Sequence, residues 1–381
     1  MVKNPIPRYL IEKVKANNKI LSLVEADMGK LKPKGDKFCG HHIKHSSISK
    51  ESLVVDPKNN FYYCFNCSEG GDPITWLIYN RGMSFVETVK YLAIRAGITI
   101  PELDSEELQE YEKWLKERIK IEQVNNATAQ IYQCLLTEGH YEWIYNKWGI
   151  KRETVDSLMI GYAPAKGNYL YWELIDKGFD PALLRKTGLF NEGSDSLYDI
   201  FQGRIIFPYW KNGSVVSFIG RETEQTPEYE KAKYRKLTTH SDKHPYVSET
   251  VENSYFYGED TIRGKDYFII TEGITDAIMA DQAGIPCISP VTVRFRKKDY
   301  PKLLKLAKQI NKVYIANDNE ESKAGEKGAW ATAEYLMSKG IRVRLIKLPR
   351  PEDIEKIDLA EYLKKHSKDD FKELIKKAKS P

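Results

Sequence analysis

Long apolar runs are missing from this sequence. No stretch approaches the roughly 20 consecutive apolar residues that a bilayer-spanning helix needs, so no such helix and no membrane partner are expected. The opening residues, MVKNPIPRYLIEKVK, lack the apolar core of a secretory signal, and a cytoplasmic location is the expectation. Cysteine is scarce. The five residues, Cys39, Cys64, Cys67, Cys134 and Cys287, form an odd and sparse set that does not suggest a disulfide scaffold. Internal repeats and low-complexity tracts are also absent. A large excess of one charge is lacking too: the formal net charge is +5, which by itself favours an anionic partner only weakly.

What is present is a chain too long for one ordinary core. At 381 residues, two or three domains are expected. With 41% hydrophobic and 30% charged residues it belongs with globular rather than disordered chains. Basic residues gather locally, in Lys231, Lys233, Arg235 and Lys236 and again in Arg294, Arg296, Lys297 and Lys298.

Three of the five cysteines fall in one 29-residue window, Cys39 to Cys67. Cys64-Phe-Asn-Cys67 lets one tight turn aim two thiolates at one ion, and Cys39-Gly-His-His42 repeats that spacing with a sulfur and a nitrogen. Two such pairs suit tetrahedral zinc, which has no redox chemistry, so a closed site would be structural. His41 and His45 are substitutes for His42, which alone completes the two-residue spacing. Between the pairs, SLVVD and FYYCF are β-prone segments joined by a DPKNN turn. A Gly70-Gly71 turn and two helices follow, the first opened by Asp72 as cap and Pro73 as first helical residue.

Residues 103–125 are dense in both charge signs and are expected to form an exposed helical linker held by i,i+4 pairs. Beyond it, RIIFPYW, a Lys-Asn-Gly turn and SVVSFIGR make a β-meander, with Arg204 and Arg221 at opposite margins. Lys233 and Tyr234 come after a polar loop. Cations beside aromatic rings suit a nucleic-acid groove, in which cations meet phosphate and rings stack on bases.

The C-terminal third alternates strand and helix, the pattern of a parallel sheet flanked by helices. Ligands of such sheets bind beyond the carboxyl ends of the strands. Glu272 and Asp276 follow the strand DYFII, Asp318 and Glu320 follow VYIA, and Asp358 with Glu361 follows later. Converging carboxylates suit Mg²⁺ or Mn²⁺. Two such ions, roughly 4 Å apart, can clamp both oxygens of a phosphoryl transfer.

These segments resemble the bacterial-type (DnaG-type) DNA primases and their phage relatives. The Cys39/His42/Cys64/Cys67 window is similar to their zinc-binding domain. IGYAP and GRIIFP…NG…FIGRE…KY resemble the N-terminal half of their RNA polymerase domain, and TEGITD, NDNE…AG and IDLAEYL resemble Toprim acidic motifs. The resemblance implies an α+β multidomain fold: a zinc-ribbon-like domain, then a primase RNA polymerase domain containing an α/β Toprim subdomain. The expected boundaries are 1–102 for the zinc domain, 103–125 for the linker, 126–262 for the N-terminal core, 263–365 for Toprim and 366–381 for a terminal helix.

The implied activity is synthesis of short RNA primers on single-stranded DNA from nucleoside triphosphates, with structural Zn²⁺ and catalytic Mg²⁺ or Mn²⁺. Glu272 would be the general acid/base, and it, Asp318, Glu320 and Asp358 would hold metal beside an acidic surface containing Asp276. Arg204, Arg221 and Lys233 would bind template or nucleotide phosphates. A replicative helicase is a possible partner.

The sequence departs from the family pattern in places. Glu320 stands where the family has the second Asp of Asp-x-Asp, Gly-Thr is absent from SPVTVRF, and Asp358 has only Glu361 nearby, with Asp353 upstream. The resemblance ends soon after Toprim, without a helicase-binding domain, as expected of a phage- or plasmid-type form or the primase part of a longer protein. A Toprim nuclease and a non-catalytic single-stranded-DNA-binding adaptor are the alternatives.

Overall fold

The computed structural model describes residues 6–42, 44, 51–101, 105–165, 167–192, 197–230, 232–292, 294–310 and 312–381. His45 and Lys231 lie outside the described residues. Contacts divide the chain into two compact units, Met1–Leu135 with Ile160–Asn253, and Leu136–Met159 with Ser254–Pro381. No described helix is long and apolar enough to cross a membrane.

The first unit opens with helices Arg8–Ala16 and Ile20–Met28, then a five-stranded antiparallel sheet. Its strands are β1 (Lys32–Lys34), β2 (Lys37–Gly40), β3 (Leu53–Asp56), β4 (Phe61–Cys64) and β5 (Glu69–Gly71), paired in sequence order. The DPKNN segment makes the β3–β4 turn as expected. Asp56 accepts the Asn59 N–H at 2.9 Å, and Asn60 takes the left-handed conformation, which asparagine tolerates. The Gly70-Gly71 pair, expected as a turn, instead forms β5. Helix Pro73–Arg81 begins on Asp72, whose carboxylate accepts the N–H of Ile74 and Thr75, and ends at left-handed Gly82.

A second sheet in this unit has the order β11–β10–β9–β6, with β6 at Gly161–Ala163, β9 at Arg204–Lys211, β10 at Ser214–Glu222 and β11 at Tyr234–Lys236. A small hairpin, β7 (Phe190–Glu192) and β8 (Leu197–Asp199), stands beside it in the chain order. Asn212 and Gly213, both at positive φ, form the tight β9–β10 turn. The zinc-module sheet and this hairpin meet closely, because a Cβ on Gly70 would lie 2.5 Å from the Gly213 carbonyl. The Ser214 hydroxyl donates to the Gly70 carbonyl at 3.0 Å.

The expected exposed linker is different in the structure. Residues Ser105–Cys134 form one continuous helix that crosses the expected boundary at 125. Tyr111, Ile119, Ile121, Val124, Ala127 and Tyr132 are buried along it. These buried positions fall all round the helix rather than along one stripe, so different stretches of it are covered on different sides.

The second unit holds a parallel sheet of β12 (Tyr267–Ile270), β13 (Cys287–Ile288), β14 (Lys312–Ile315) and β16 (Val343–Leu345) in the order β13–β12–β14–β16. Alternate residues Phe268, Ile270, Val313 and Ile315 join Leu303, Ala307, Ala333 and Leu336 in one core. Helices Tyr300–Ala307 and Ala324–Ser338 thereby cover that face. A separate antiparallel pair, β15 (Asn319–Glu320) with β17 (Lys356–Ile357), lies just beyond the end of β14. Helix Lys368–Lys377 buries Phe371 against Tyr362, so the terminal helix is part of this unit rather than an appendage after residue 365.

Candidate active site and metal centre

β12 and β14 are neighbouring parallel strands, paired Ile269↔Tyr314 and Ile270↔Ile315. Each hands over to an acidic residue two or three positions past its end, so Glu272 and Asp318 emerge side by side. Both are buried, at 7% and 8% exposure. The Asp318 backbone N–H donates to Glu272 Oε1 at 3.2 Å, which fixes the spacing.

Gly325 completes this corner. It is the second residue of helix Ala324–Ser338, and a Cβ there would lie 2.4 Å from the Asp318 carbonyl and 2.6 Å from Glu272 Oε1. Glycine therefore lets the helix start press onto the carboxylates. The Gly325 N–H donates to Glu320 Oε1 at 3.2 Å, and the positive end of the helix faces negative charge.

The remaining acids have unequal roles. Asp358 caps helix Leu359–Lys365: its Oδ1 accepts the Glu361 N–H at 2.8 Å, and Glu361 reaches back to the Asp358 N–H. Asp276, expected on an acidic surface, is 2% exposed. Its two carboxylate oxygens accept the N–H groups of Ala360 and Gly273, both at 2.9 Å. It therefore ties helix Ile274–Gln282 to the Asp358 turn.

Burial and then the charge of Asp318 push the Glu272 carboxyl up to about 7. Burial also raises Asp318, Asp358 and, most strongly, Asp276. In Asp318 the shift is opposed by Lys356, whose Nζ forms an ion pair with Asp318 Oδ2. Sequence reasoning missed Lys356. It reaches the site through the β15–β17 register, which sets Glu320 opposite Lys356.

The hard oxygen donors Glu272, Asp318, Glu320 and Asp358 fit a magnesium-like ion. They do not form a tight cage. Among the described residues, the one group of three metal-type ligands within 4.8 Å of one another is His42, Cys64 and Cys67.

In that group, Cys64 ends β4 and Cys67 lies in the following turn. Cys64 and then burial push the Cys67 thiol up, so close thiolates call for a cation between them. His42 Nδ1 lies 3.3 Å from Cys67 Sγ, while its Nε2 lies 2.7 Å from Asn80 Oδ1. The Asn80 amide donates to Glu69 Oε1 at 3.2 Å. Glu69 and Asn80 thus form an outer layer that orients the imidazole, with Nδ1 left to face the sulfurs. Sequence spacing gave no sign of Asn80, which comes from helix Pro73–Arg81. His41 is exposed and outside the group.

Cys39 does not join the other three. It pairs with Val54, whereas Cys64 pairs with Leu53, one row along. Neighbouring rows point to opposite faces of a sheet, so the Cys39 side chain leaves on the face away from Cys64.

Arg204 and Arg221, expected at opposite margins of their hairpin, are brought to the same end by antiparallel pairing. Arg204 pairs with Glu222 and Arg221 with Ile205. Arg204 is fully buried, and its guanidinium donates to the carbonyls of Ala232 at 2.8 Å and of Glu230. It holds the loop before β11 and offers no exposed face to phosphate. Gly220 makes room for it, since a Cβ there would lie 2.9 Å from the Arg204 stem. The Arg221 guanidinium lies over the Tyr234 ring at 5.0 Å, and its buried Nε has no hydrogen-bond partner among the described residues. Lys233 is exposed. In the second basic cluster, Arg296 is clamped by Asp299 at 2.7 Å.

Three family models match successive parts of the chain. Residues 6–108 match the CHC2 zinc finger family, 131–241 the DNA primase catalytic core N-terminal domain, and 267–369 the Toprim domain. The DNA primase of Clostridium acetobutylicum is 29% identical over 98% of this chain and 60% of its own length. That of Synechococcus elongatus is 28% identical over 92% of this chain and 50% of its own. The chain thus spans half to three fifths of these curated relatives.

Among solved structures, the Aquifex aeolicus primase zinc-binding and RNA polymerase domains superpose with a TM-score of 0.62 at 21% identity, covering 97% of this chain and 85% of that one. A DnaG primase catalytic domain bound to single-stranded DNA gives 0.53 at 20% identity, over 70% and 83%. The chain thus carries matches to the CHC2 zinc finger, the DNA primase catalytic core N-terminal domain and the Toprim domain in this order, and along nearly its whole length it is similar to DnaG-type primases.

Proposed function

We propose that the chain is a DNA primase, a template-directed nucleotidyltransferase that makes short RNA primers on single-stranded DNA from nucleoside triphosphates. The observation that carries this reading is the buried Glu272–Asp318 pair at the carboxyl ends of two adjacent parallel strands. Its likeness to the primases supports the same assignment, as does the single-stranded DNA named for one solved relative.

In the proposed chemistry a 3′-hydroxyl attacks an α-phosphate and pyrophosphate leaves, so positioning and charge neutralisation dominate. Glu272, Asp318, Glu320 and Asp358 would hold Mg²⁺ or Mn²⁺, which supplies positive charge to the phosphoryl oxygens. Glu272 would be the general acid/base that exchanges a proton with the attacking hydroxyl. Asp276 sets the Asp358 turn. Lys233 and Arg221 meet template or nucleotide phosphates, and Arg204 positions the loop that carries Lys233.

Zinc would be held by His42, Cys64 and Cys67, which lie together, with Cys39 as the fourth donor that the Cys-x-x-His…Cys-x-x-Cys pattern implies. The site is structural, because four protein ligands leave no open position.

Product identity tests the reading. Incubation with single-stranded DNA, labelled nucleoside triphosphates and Mn²⁺ or Mg²⁺ is expected to yield short RNA. Nicked DNA without synthesis would instead identify a Toprim nuclease, and DNA binding with neither product an adaptor.

A further inference from the structure

The acidic site carries a cation of its own. Lys356 Nζ is paired with Asp318 Oδ2, and the partners differ in freedom: the lysine side chain is 49% exposed and the aspartate 8%. The aspartate is held by burial, and its backbone N–H is anchored on Glu272 Oε1 at 3.2 Å. The ammonium sits at the end of a flexible four-carbon stem. Delivery of Lys356 is built into the fold, because β15–β17 pairing sets it opposite Glu320. Asp318, Glu320 and Glu272 all act on its charge.

We propose that Lys356 is a tethered counter-ion that neutralises Asp318 until a divalent cation takes that carboxylate, and that it then turns to the triphosphate of the incoming nucleotide. The proposal rests on the Toprim site reading above. A divalent ion and an ammonium compete for the same Asp318 oxygen. The divalent ion has the higher charge and several carboxylate ligands, and the lysine has an accessible path outward. Released beside the bound ion, the half-exposed ammonium would be free to turn to the triphosphate that the ion also attracts. One residue would thus keep the empty acidic cluster tolerable, lower its metal affinity and strengthen nucleotide binding.

Mn²⁺ binding followed by electron paramagnetic resonance on the zinc-loaded full chain tests this apart from activity. Lys356→Met keeps the stem and removes the charge, and it is expected to bind Mn²⁺ about fivefold tighter. The same variant is expected to show a raised KM for nucleoside triphosphate in primer synthesis. Lys356→Arg keeps the charge and should bind Mn²⁺ as the wild type does.

Unchanged or weaker Mn²⁺ binding in Lys356→Met would overturn the proposal, as would equal tightening in Lys356→Arg. Asp318→Asn separates the two levels of the argument. If it binds Mn²⁺ like the wild type, the metal-site reading itself fails. If it loses Mn²⁺ while Lys356→Met changes nothing, only the role of Lys356 fails.

Discussion

At the scale of single residues, the chemistry depends on side chains that the fold holds against their solution preferences. Glu272 is held protonated up to about pH 7, whereas its ordinary value is 4.5. Between these values the folded chain binds more protons than the unfolded one, so stability from this group is fully present below pH 4.5 and falls as pH rises through 7. Asp318, Asp358 and Asp276 shift in the same direction. Without added divalent metal, thermal stability should therefore decline from pH 5 to 8. Glu272→Gln should flatten that decline, by a difference of order 3 kcal/mol at pH 8. Calorimetry across pH checks this, and parallel wild-type and variant curves would contradict it.

At the zinc site, Asn80→Ala removes the orienting contact to His42 and should weaken zinc binding about 10- to 100-fold in a chelator competition. Cys39→Ser should also release zinc, because three donors leave the site open. Full retention in Cys39→Ser would assign the fourth position to another ligand. Ligand types and spacing were legible in the sequence, since Cys-x-x-Cys and Cys-x-x-His advertise themselves. Asn80, Glu69 and Lys356 were not legible, because each reaches its site through tertiary packing or strand register rather than through neighbours in the chain.

At the scale of elements, local rules foretold much. The Asp72-Pro73 helix start, the DPKNN turn and the Asn212-Gly213 turn form where turn and cap chemistry require them. Periodicity failed where packing overrode composition. The charge-rich 103–125 segment read as exposed, yet its apolar positions Tyr111, Ile119 and Val124 are buried in a longer helix. Gly70 read as a turn residue but lies in a strand, because it serves close approach rather than reversal of the chain. Arg204 read as a phosphate ligand because an arginine at a strand margin gives no sign of whether it is buried.

Gly325 sets how closely helix Ala324–Ser338 approaches the candidate active site. Gly325→Ala must move the helix start away from Asp318 and Glu272, and should cost about 1–3 kcal/mol. It should also abolish Mn²⁺ binding. Wild-type Mn²⁺ affinity with wild-type stability would show that the helix start is not pressed onto the carboxylates.

At the scale of the whole molecule, the zinc module shares a compact unit with the N-terminal core, while the Toprim sheet belongs to the other. The domain order was legible because each module has its own motif. The unit boundaries were not, because residues 136–159 leave the first unit and join the second, where Gln282 accepts the Lys151 N–H at 2.7 Å. Loss of zinc through Cys64→Ser should lower the melting transition of the first unit and leave that of the second in place. A single transition shifted as a whole would contradict this division.

The central claim is that Glu272 and Asp318 carry template-directed synthesis. The most direct measurement compares wild type, Glu272→Gln and Asp318→Asn, each zinc-loaded and folded, for RNA made on single-stranded DNA under one divalent-metal condition. The account predicts short RNA complementary to the template from the wild type, and a loss of at least about a hundredfold in both variants. Wild-type product levels from either variant would contradict it.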